Sequence, residues 1–275
     1  MKTQQWNVRN WGCSKISAFL ACMVMVFSAV SQGYSQTSPV HGTAGFADCP
    51  ITFFMADDPM AVGVTGTNSE TMASTFDTAM AALSGTPGRI DFEAFPVGNF
   101  NTLPLNSDVL ATLINTGNSI SPNIQGIANS TSASPGLGFN TTPGGNRHLQ
   151  VYPLNDGPTG GVSFTLSRPV NAFGCYISGR EEVKRDVQAE ITYVDGRVQI
   201  VTTAAGPFPG GGLQFFGFIS DCPVKKVAFM EPYSGEPASL RDIYTIDDIR
   251  YSTHDESYPC VEFEELPLSK SYNVG

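Results

Sequence analysis

The sequence has few of the residues on which most enzyme active sites depend. It contains three histidines, His41, His148 and His254. It has no GxSxG elbow, no HExxH, no P-loop and no GxGxxG following a strand. A serine or cysteine nucleophile would need His148 as its base, and no partner that would orient this histidine is evident. These absences predict a protein that is not an enzyme.

Basic residues are also scarce. The chain has 15 Lys and Arg against 25 Asp and Glu, for a formal net charge of −10. Nucleic acids and anionic lipids both require clustered basic side chains, so the charge balance argues against either partner. No CxxC pair occurs, which argues against a zinc site.

Long apolar runs are rare as well, and the one that stands out lies near the N-terminus. Three basic residues precede an apolar run over residues 16–30, and no acid occurs before residue 36. This pattern predicts a signal peptide over residues 1–35, cleaved after Ser31 or Ser35. Its removal would shift the net charge from −10 to −13 and leave a secreted or cell-surface chain without a transmembrane segment.

Four cysteines would survive this cleavage: Cys49, Cys175, Cys222 and Cys260. An even number in an oxidising compartment suggests disulfides, although four cysteines allow three connectivities and buried free thiols are an alternative. Cys175 lies within AFGCYIS and Cys222 follows FFGFIS. If these two segments are neighbouring strands, their Cα atoms come within reach of a Cys175–Cys222 disulfide.

Residues 36–85 are predicted to form a leader that contains one helix near residues 68–84. Thr67 and Glu70 form a capping box, and Gly85 ends the periodic segment. Between them, Met72, Phe76, Met80 and Leu83 fall on one helical face. This stripe favours packing against a neighbouring sheet.

Residues 86–252 are predicted to form an antiparallel β-sandwich, specifically a jelly roll. Apolar and polar residues alternate in GVSFTL, and ITYVDGRVQIV reads as a hairpin with a tight turn at Asp195–Gly196. Many short strands separated by turn residues favour an all-β fold. The further strands are predicted at residues 149–152, 172–178, 213–219, 224–230 and 243–251.

Carboxylates cluster in the first and last predicted strands. In IDFE, Asp91 and Glu93 alternate with apolar residues and would point to one side of a strand. In IYTIDDIRY, Ile246 and Ile249 are an odd number of residues apart, so a regular strand cannot bury both. A bulge at Asp247–Asp248 would bury both and redirect a carboxylate.

If the first and last strands are neighbours, these carboxylates converge and a structural Ca²⁺ is predicted between them. The metal ligands would be Asp91, Glu93, Asp247 and Asp248. The alternative is that Arg89 or Arg250 pairs with these carboxylates, or that they extend into water.

The C-terminal segment VEFEELPLSKSYNVG repeats the pattern of IDFEAFPVG. Residues 253–275 are therefore interpreted as a linker and the first strand of a truncated second sandwich. The alternative is that this segment adds an edge strand to the existing sheet.

Four blocks of residues 86–252 resemble a domain of exported bacterial proteins that carry PEP-CTERM sorting tails. They are GFNTTPGGNRHLQVYP, GGVSFTLSRPVNAFGCYISG, LQFFGFISDCPVKKVAFME and DIYTIDDIRYS. The resemblance implies a jelly roll similar to carbohydrate-binding modules. In such modules calcium between the first and last strands is frequent, and the site would map onto Glu93 and Asp247 or Asp248. The sorting tail itself is missing from this sequence, which puts anchoring in doubt.

We therefore expect an exported, non-catalytic module that binds carbohydrate or a cell-surface partner. The alternatives are a purely structural spacer domain and, third, a glycan hydrolase. For the hydrolase, the adjacent Glu181 and Glu182 read as part of a solvated charged loop. Sugar rings stack on exposed aromatic side chains. The candidates for this role are Tyr152, Phe216, Tyr233 and Tyr244, although aromatic residues in strands more often lie in the core.

Overall fold

The computed structural model describes residues 49–59, 61–116, 125–129, 137–153, 159–179, 187–203, 212–232 and 243–254. These residues form twelve strands and one helix. In chain order they are β1 (Ile51–Pro59), α1 (Asn68–Met80), β2 (Pro87–Ile90), β3 (Gly98–Asn99), β4 (Thr102–Pro104), β5 (Val109–Ile114), β6 (Gly126–Asn129), β7 (Arg147–Val151), β8 (Gly160–Ser178), β9 (Gln188–Tyr193), β10 (Val198–Thr202), β11 (Gly212–Glu231) and β12 (Tyr244–Thr253).

Two long strands, β8 and β11, each contribute to both layers of the fold. The rings of Phe164 and Phe173 in β8 lie 5.7 Å apart, and those of Phe216 and Phe229 in β11 lie 5.6 Å apart. Nine residues of straight strand would span roughly 30 Å, so β8 must fold back on itself. Ser167–Pro169 and the register shifts between Ile219 and Lys226 mark the two bends.

The bends divide the strands into two layers, which we call sheet I and sheet II. Sheet I has the order β4, β5, first half of β8, second half of β11, β9, β10. Sheet II has the order β1, first half of β11, second half of β8, β12, β7, β6, β3, with β2 also paired to β12. Every one of these pairings is antiparallel. The expected all-β sandwich with one helix is confirmed.

The core between the sheets is mainly aromatic. Phe173 contacts the rings of Phe164, Phe218 and Phe229, and all four are fully buried. Close aromatic pairs contribute beyond the area that they bury. Because these rings come from both halves of the bent strands, the core holds each bend closed.

Helix α1 covers the outer face of sheet II. Thr67 caps its N-terminus by accepting a hydrogen bond from the Glu70 amide (3.0 Å), and the Glu70 carboxylate accepts from the Gly66 amide (2.7 Å). Phe76 is fully buried against Phe54 and Phe215, with ring centroids 5.4 and 5.6 Å away. The predicted packing of the apolar stripe against a sheet is confirmed, and the helix ends at Met80.

Two details of the predicted secondary structure were wrong. The leader contains an unpredicted strand, β1, which pairs with β11 from Ile51–Ser220 to Pro59–Gly212. The β9–β10 hairpin is present, but its turn is not a two-residue primed turn. Gly196 alone has a positive φ (92°), and its amide donates to the Tyr193 carbonyl. This is a type I turn followed by a glycine bulge.

The predicted Cys175–Cys222 disulfide was also wrong. The two strands are neighbours as expected, but Cys175 lies opposite Phe216, in the middle of the core. Cys222 lies six residues further along β11, at the bend, where it is bonded to Cys49. Cys175 is a buried free thiol, and burial raises its pKa.

Within the described ranges, no helix combines the length and the apolar character that crossing a lipid bilayer would require.

Candidate functional site

The carboxylate-rich site lies where β12 stops pairing with β7 and begins to pair with β2. On one edge, β12 pairs with β7 through residues 244–246 and with β2 through residues 249–252. Between them the register of β12 against β8 shifts, from Asp247–Tyr176 to Arg250–Gly174. This shift is the bulge predicted from the isoleucine spacing, and both Ile246 and Ile249 are fully buried.

The bulge turns two aspartates toward the outer face of sheet II. Asp248 adopts a φ of 51°, a left-handed conformation that non-glycine residues seldom adopt and that is often found at functional sites. Asp247 and Asp248 are each only 1% exposed. Burial, together with the neighbouring Asp248, raises the pKa of the Asp247 carboxyl well above its usual range. Hydrogen bonds from the Thr141 backbone and hydroxyl oppose this rise.

Residues 140–147 fold over the bulge and supply most of its hydrogen-bond partners. Asp247 Oδ2 accepts from the Thr141 amide (2.7 Å) and hydroxyl (2.9 Å). Asp248 Oδ1 accepts from the Thr142 hydroxyl (3.1 Å) and from Arg89 Nη2 (2.9 Å). The alternative in which Arg89 neutralises a carboxylate is thus confirmed for Asp248.

The two other predicted ligands lie in the turn after β2, which ends at Ile90. They do not share one side of a strand, because Phe92 has a φ of 61° and breaks the alternation. Glu93 points into the site, where its Oε1 accepts from the Asn146 and Arg147 amides, both at 2.9 Å. Asp91 is exposed, and its Oδ1 accepts from the Glu93 amide.

The side-chain amide of Asn140 links the two halves of the site. Its Nδ2 lies 2.8 Å from Glu93 Oε1, 2.7 Å from the Arg147 carbonyl and 3.3 Å from Asp247 Oδ2. An amide nitrogen carries two hydrogens, so three surrounding oxygens are more than it can satisfy. Three oxygen atoms, from Glu93, Arg147 and Asp247, therefore converge on Asn140 Nδ2.

The set of four carboxylates is therefore only partly assembled. Over the described part of the chain, no group of three or more His, Cys, Asp or Glu side chains lies close enough to hold a metal ion. Glu93 and Asp247 converge with a backbone carbonyl and an amide side chain, whereas Asp91 faces away. Calcium takes carbonyl and amide oxygens as well as carboxylates, and the two carboxylates that do converge are Glu93 and Asp247.

Sequence reasoning did not identify Asn140, Thr141 or Arg147 as part of the site. All three lie in GFNTTPGGNRH, a segment without strand or helix periodicity. The one available signal was a polar loop rich in Asn and Thr directly before β7. Its partners lie as far as 107 residues away in sequence.

The second predicted site, the aromatic surface, is not assembled. Phe216 and Tyr244 are fully buried, and the Tyr244 hydroxyl donates to the Phe229 carbonyl (2.7 Å). Both were wrong as ligand contacts, because their strands place them between the sheets. Tyr152 is half-buried just beyond β7. Tyr233 lies outside the described residues.

The outer face of sheet I combines buried residues at its centre with partly exposed residues on either side. One row of residues crosses the middle of this face, one residue from each of six strands. Each lies opposite the next in the order Ile200, Glu190, Ala228, Ser163, Thr112, Thr102. The side chains before and after each of these residues in β8, β9 and β11 face the core. The two small residues in the middle of this row, Ala228 and Ser163, are buried, 0% and 5% exposed, and we call the strip that they form the trough. Glu190 and Thr112 form its walls, three strand spacings or roughly 14 Å apart.

Neither a protein-family model nor a curated protein sequence matches the chain. Similar solved structures include an exo-β-agarase, with a TM-score of 0.33 and 12% identity over 60% of this chain. The chain covers 25% of that agarase chain. They also include the CBM22-1 xylan-binding domain of Paenibacillus barcinonensis Xyn10C, with a TM-score of 0.32 and 14% identity. That likeness covers 63% of this chain and 99% of the xylan-binding domain. Similarity at this level assigns neither a family nor an activity.

Proposed function

We propose that this chain is an exported, non-catalytic β-sandwich module that binds an extracellular polysaccharide or cell-surface glycan on the outer face of sheet I. The observation that carries the proposal is the row of polar side chains on this face, where the partly exposed Glu190 and Thr112 flank the buried strip of small residues. Such groups donate and accept hydrogen bonds to sugar hydroxyls. The outer face of sheet II, in contrast, is covered by α1 and by residues 137–146.

The chemistry of the trough favours a neutral glycan. The polar side chains on or beside it that are at least partly exposed are Thr102, Thr112, Thr165, Thr192, Gln188, Glu190 and Lys226. One lysine and one glutamate leave no cluster of positive charge, which an anionic polysaccharide would need.

Removing the walls of the trough should weaken glycan binding. We expect Glu190→Ala combined with Thr112→Ala to lower the affinity for a retained polysaccharide by at least about tenfold, because each lost hydrogen bond is worth roughly 0.5 to 3 kcal/mol. Native electrophoresis through gels containing soluble xylan, agarose or anionic alginate measures this retention.

The matched control combines Thr71→Ala with Thr78→Ala on the exposed face of α1. This control should migrate like the unmodified chain, and the melting temperature of each variant shows that it is folded. Equal migration in all gels would contradict glycan binding and favour the spacer alternative. Release of reducing sugars would favour the hydrolase.

Export is part of the same proposal. The Cys49–Cys222 disulfide supports it, because structural disulfides form and persist mainly in oxidising compartments. N-terminal sequencing of exported protein should show a first residue between Gln32 and Thr37.

We propose in addition that Ca²⁺ stabilises the junction of β2 and β12. Glu93, Asp247, the Arg147 carbonyl and the Asn140 side-chain oxygen, after rotation of its amide, would hold the ion. The crowding of three oxygens around Asn140 Nδ2 supports this assignment. The ion would supply the positive charge that the buried Asp247 carboxylate lacks.

Calcium should therefore raise the melting temperature, and the increment should grow with pH. Without the ion, the raised pKa of Asp247 makes the folded state bind its proton more tightly, so stability falls as pH rises through that pKa. Bound calcium favours the ionised form and reverses this trend. At about 100 times its dissociation constant the ion adds roughly 2.7 kcal/mol. Thermal unfolding at low salt, with calcium and with EGTA, measures the increment between pH 4 and 7.

Glu93→Gln and Asp247→Asn should each reduce the calcium increment. Asp91→Asn should preserve it, since Asp91 faces away from the site, and Glu190→Gln is the matched control in sheet I. Superimposable curves with calcium and EGTA would rule out the ion.

A further inference from the structure

The Cys49–Cys222 disulfide joins the start of β1 to the bend in β11. Cys49 is 6% exposed, whereas Cys222 is only partly buried. The two segments are also linked by a hydrogen bond from the Asp221 amide to the Pro50 carbonyl (3.0 Å). Cys222 is therefore the more exposed of the two residues.

The sulfurs differ as well in their distance from a positive charge. Arg197 Nη2 lies 2.6 Å from Cys49 Sγ and 3.9 Å from Cys222 Sγ. This guanidinium is held by Asp195 and lies over the Tyr193 ring. A neighbouring guanidinium stabilises a thiolate, and a thiol with a lower pKa is the better leaving group in disulfide exchange.

We propose that this disulfide is a site of directional thiol–disulfide exchange, in which an external thiolate attacks Cys222 and Cys49 leaves. The sulfur of the incoming thiolate forms a bond to Cys222 Sγ as the Cys49–Cys222 bond breaks, and the electron pair of that bond goes to Cys49 Sγ. Cys49 is released as a thiolate beside Arg197. The co-reactant is a small thiol or the thiolate of a redox protein. One S–S bond forms as another breaks, so the step itself needs no further oxidant or reductant.

The exchange has a structural consequence for β1. The start of β1 then depends on backbone pairing with β11 alone, since β1 pairs with no other described strand. β1 supports α1 through Phe54 and through Asp58, whose carboxylate accepts from the Asn68 and Ser69 amides (2.8 and 2.7 Å). The modification therefore loosens the attachment of the segment that covers sheet II.

Reduced glutathione is the probe for this reaction. The oxidised full chain is incubated with glutathione, quenched with iodoacetamide and mapped by mass spectrometry. We expect glutathione on Cys222 and carbamidomethyl on Cys49 in the same molecules. Arg197→Gln should slow formation of this species about threefold to tenfold, whereas Arg197→Lys should largely restore the rate, because lysine keeps the charge.

The matched control is Arg168→Gln. Arg168 is also paired with an aspartate, Asp108, and lies within the bend in β8. This variant should react at the unmodified rate. Glutathione on Cys49, equal amounts on both cysteines, or no adduct while the protein remains folded would each overturn the proposal. The site of the adduct in the unmodified chain decides the direction even if Arg197→Gln fails to fold.

Discussion

Phe76→Ala should lower the free energy of unfolding by about 3 to 5 kcal/mol, among the largest effects expected of a single substitution in the described part of the chain. The ring is fully buried and packs against Phe54 and Phe215. It also lies over Gly174 and Gly217, where an added Cβ would come within 3.1 and 3.0 Å of it. Since strand backbone forms the floor beneath the ring, the cavity left by alanine cannot close easily. Equilibrium urea unfolding measures the loss.

Val62→Ala is the control for this prediction, because Val62 is 64% exposed and its truncation should change stability by less than about 0.5 kcal/mol. Phe76→Leu should fall between the two variants. A loss below about 1 kcal/mol for Phe76→Ala would show that α1 is not part of the cooperative fold.

His148 should make the protein sensitive to acid, with a loss of about 3 kcal/mol between pH 6.5 and pH 4. Burial lowers the pKa of His148 from 6.5 to about 4 in the folded chain. Between these values the unfolded state binds the proton and the folded state does not, so stability is full above pH 6.5 and falls as pH decreases. Lowering the pKa from 6.5 to about 4 corresponds to roughly 3 kcal/mol.

His148→Gln isolates this effect from the other titrating groups. Its unfolding free energy, measured by urea denaturation at intervals from pH 8 to pH 4, should decline less steeply than that of the unmodified chain. Asp247 titrates in the opposite sense in both proteins, so its contribution cancels in the comparison. Parallel curves for the two proteins would mean that His148 does not carry the acid sensitivity.

The alternation of apolar residues was sufficient to predict the strands but not their bends. GVSFTL and AFGCYIS are the two halves of β8, yet they read as separate strands because Ser167–Pro169 interrupts the pattern. The short strands β3, β4 and β6 have two to four residues, too few to show a period. β1 was missed although it has nine residues, because Phe54 is the one buried residue in it and its sequence does not alternate.

In the candidate calcium site, the sequence was sufficient to predict the bulge, because the bulge depends on residues of the single strand β12. The odd spacing of Ile246 and Ile249 predicted the bulge, since both residues needed the same buried face. The partners of the bulge come from a loop more than 100 residues earlier, and nothing in a local pattern specifies such a contact. Asp91 was misassigned because Phe92 departs from extended geometry, which the alternation IDFE conceals.

The disulfide was misassigned for a related reason. The two strands were correctly expected to be neighbours. The pairing of two strands does not, however, determine which of their residues lie opposite each other. Register places Cys175 beside Phe216, while the bend in β11 carries Cys222 to the end of the sandwich where β1 starts.

The pairing of early strands with late ones dictates when this protein can fold as it is synthesised. β2 finds its partner only in β12, where Arg89 and Asp248 are 159 residues apart, and the disulfide spans 173 residues. At about 5 to 20 residues per second, a ribosome needs roughly 10 to 30 seconds to add that stretch. During this interval Ile90, Phe92 and Phe54 have no sheet to enter. The pairing of β2 is therefore postponed until β12 has been synthesised, so this part of the sandwich closes last.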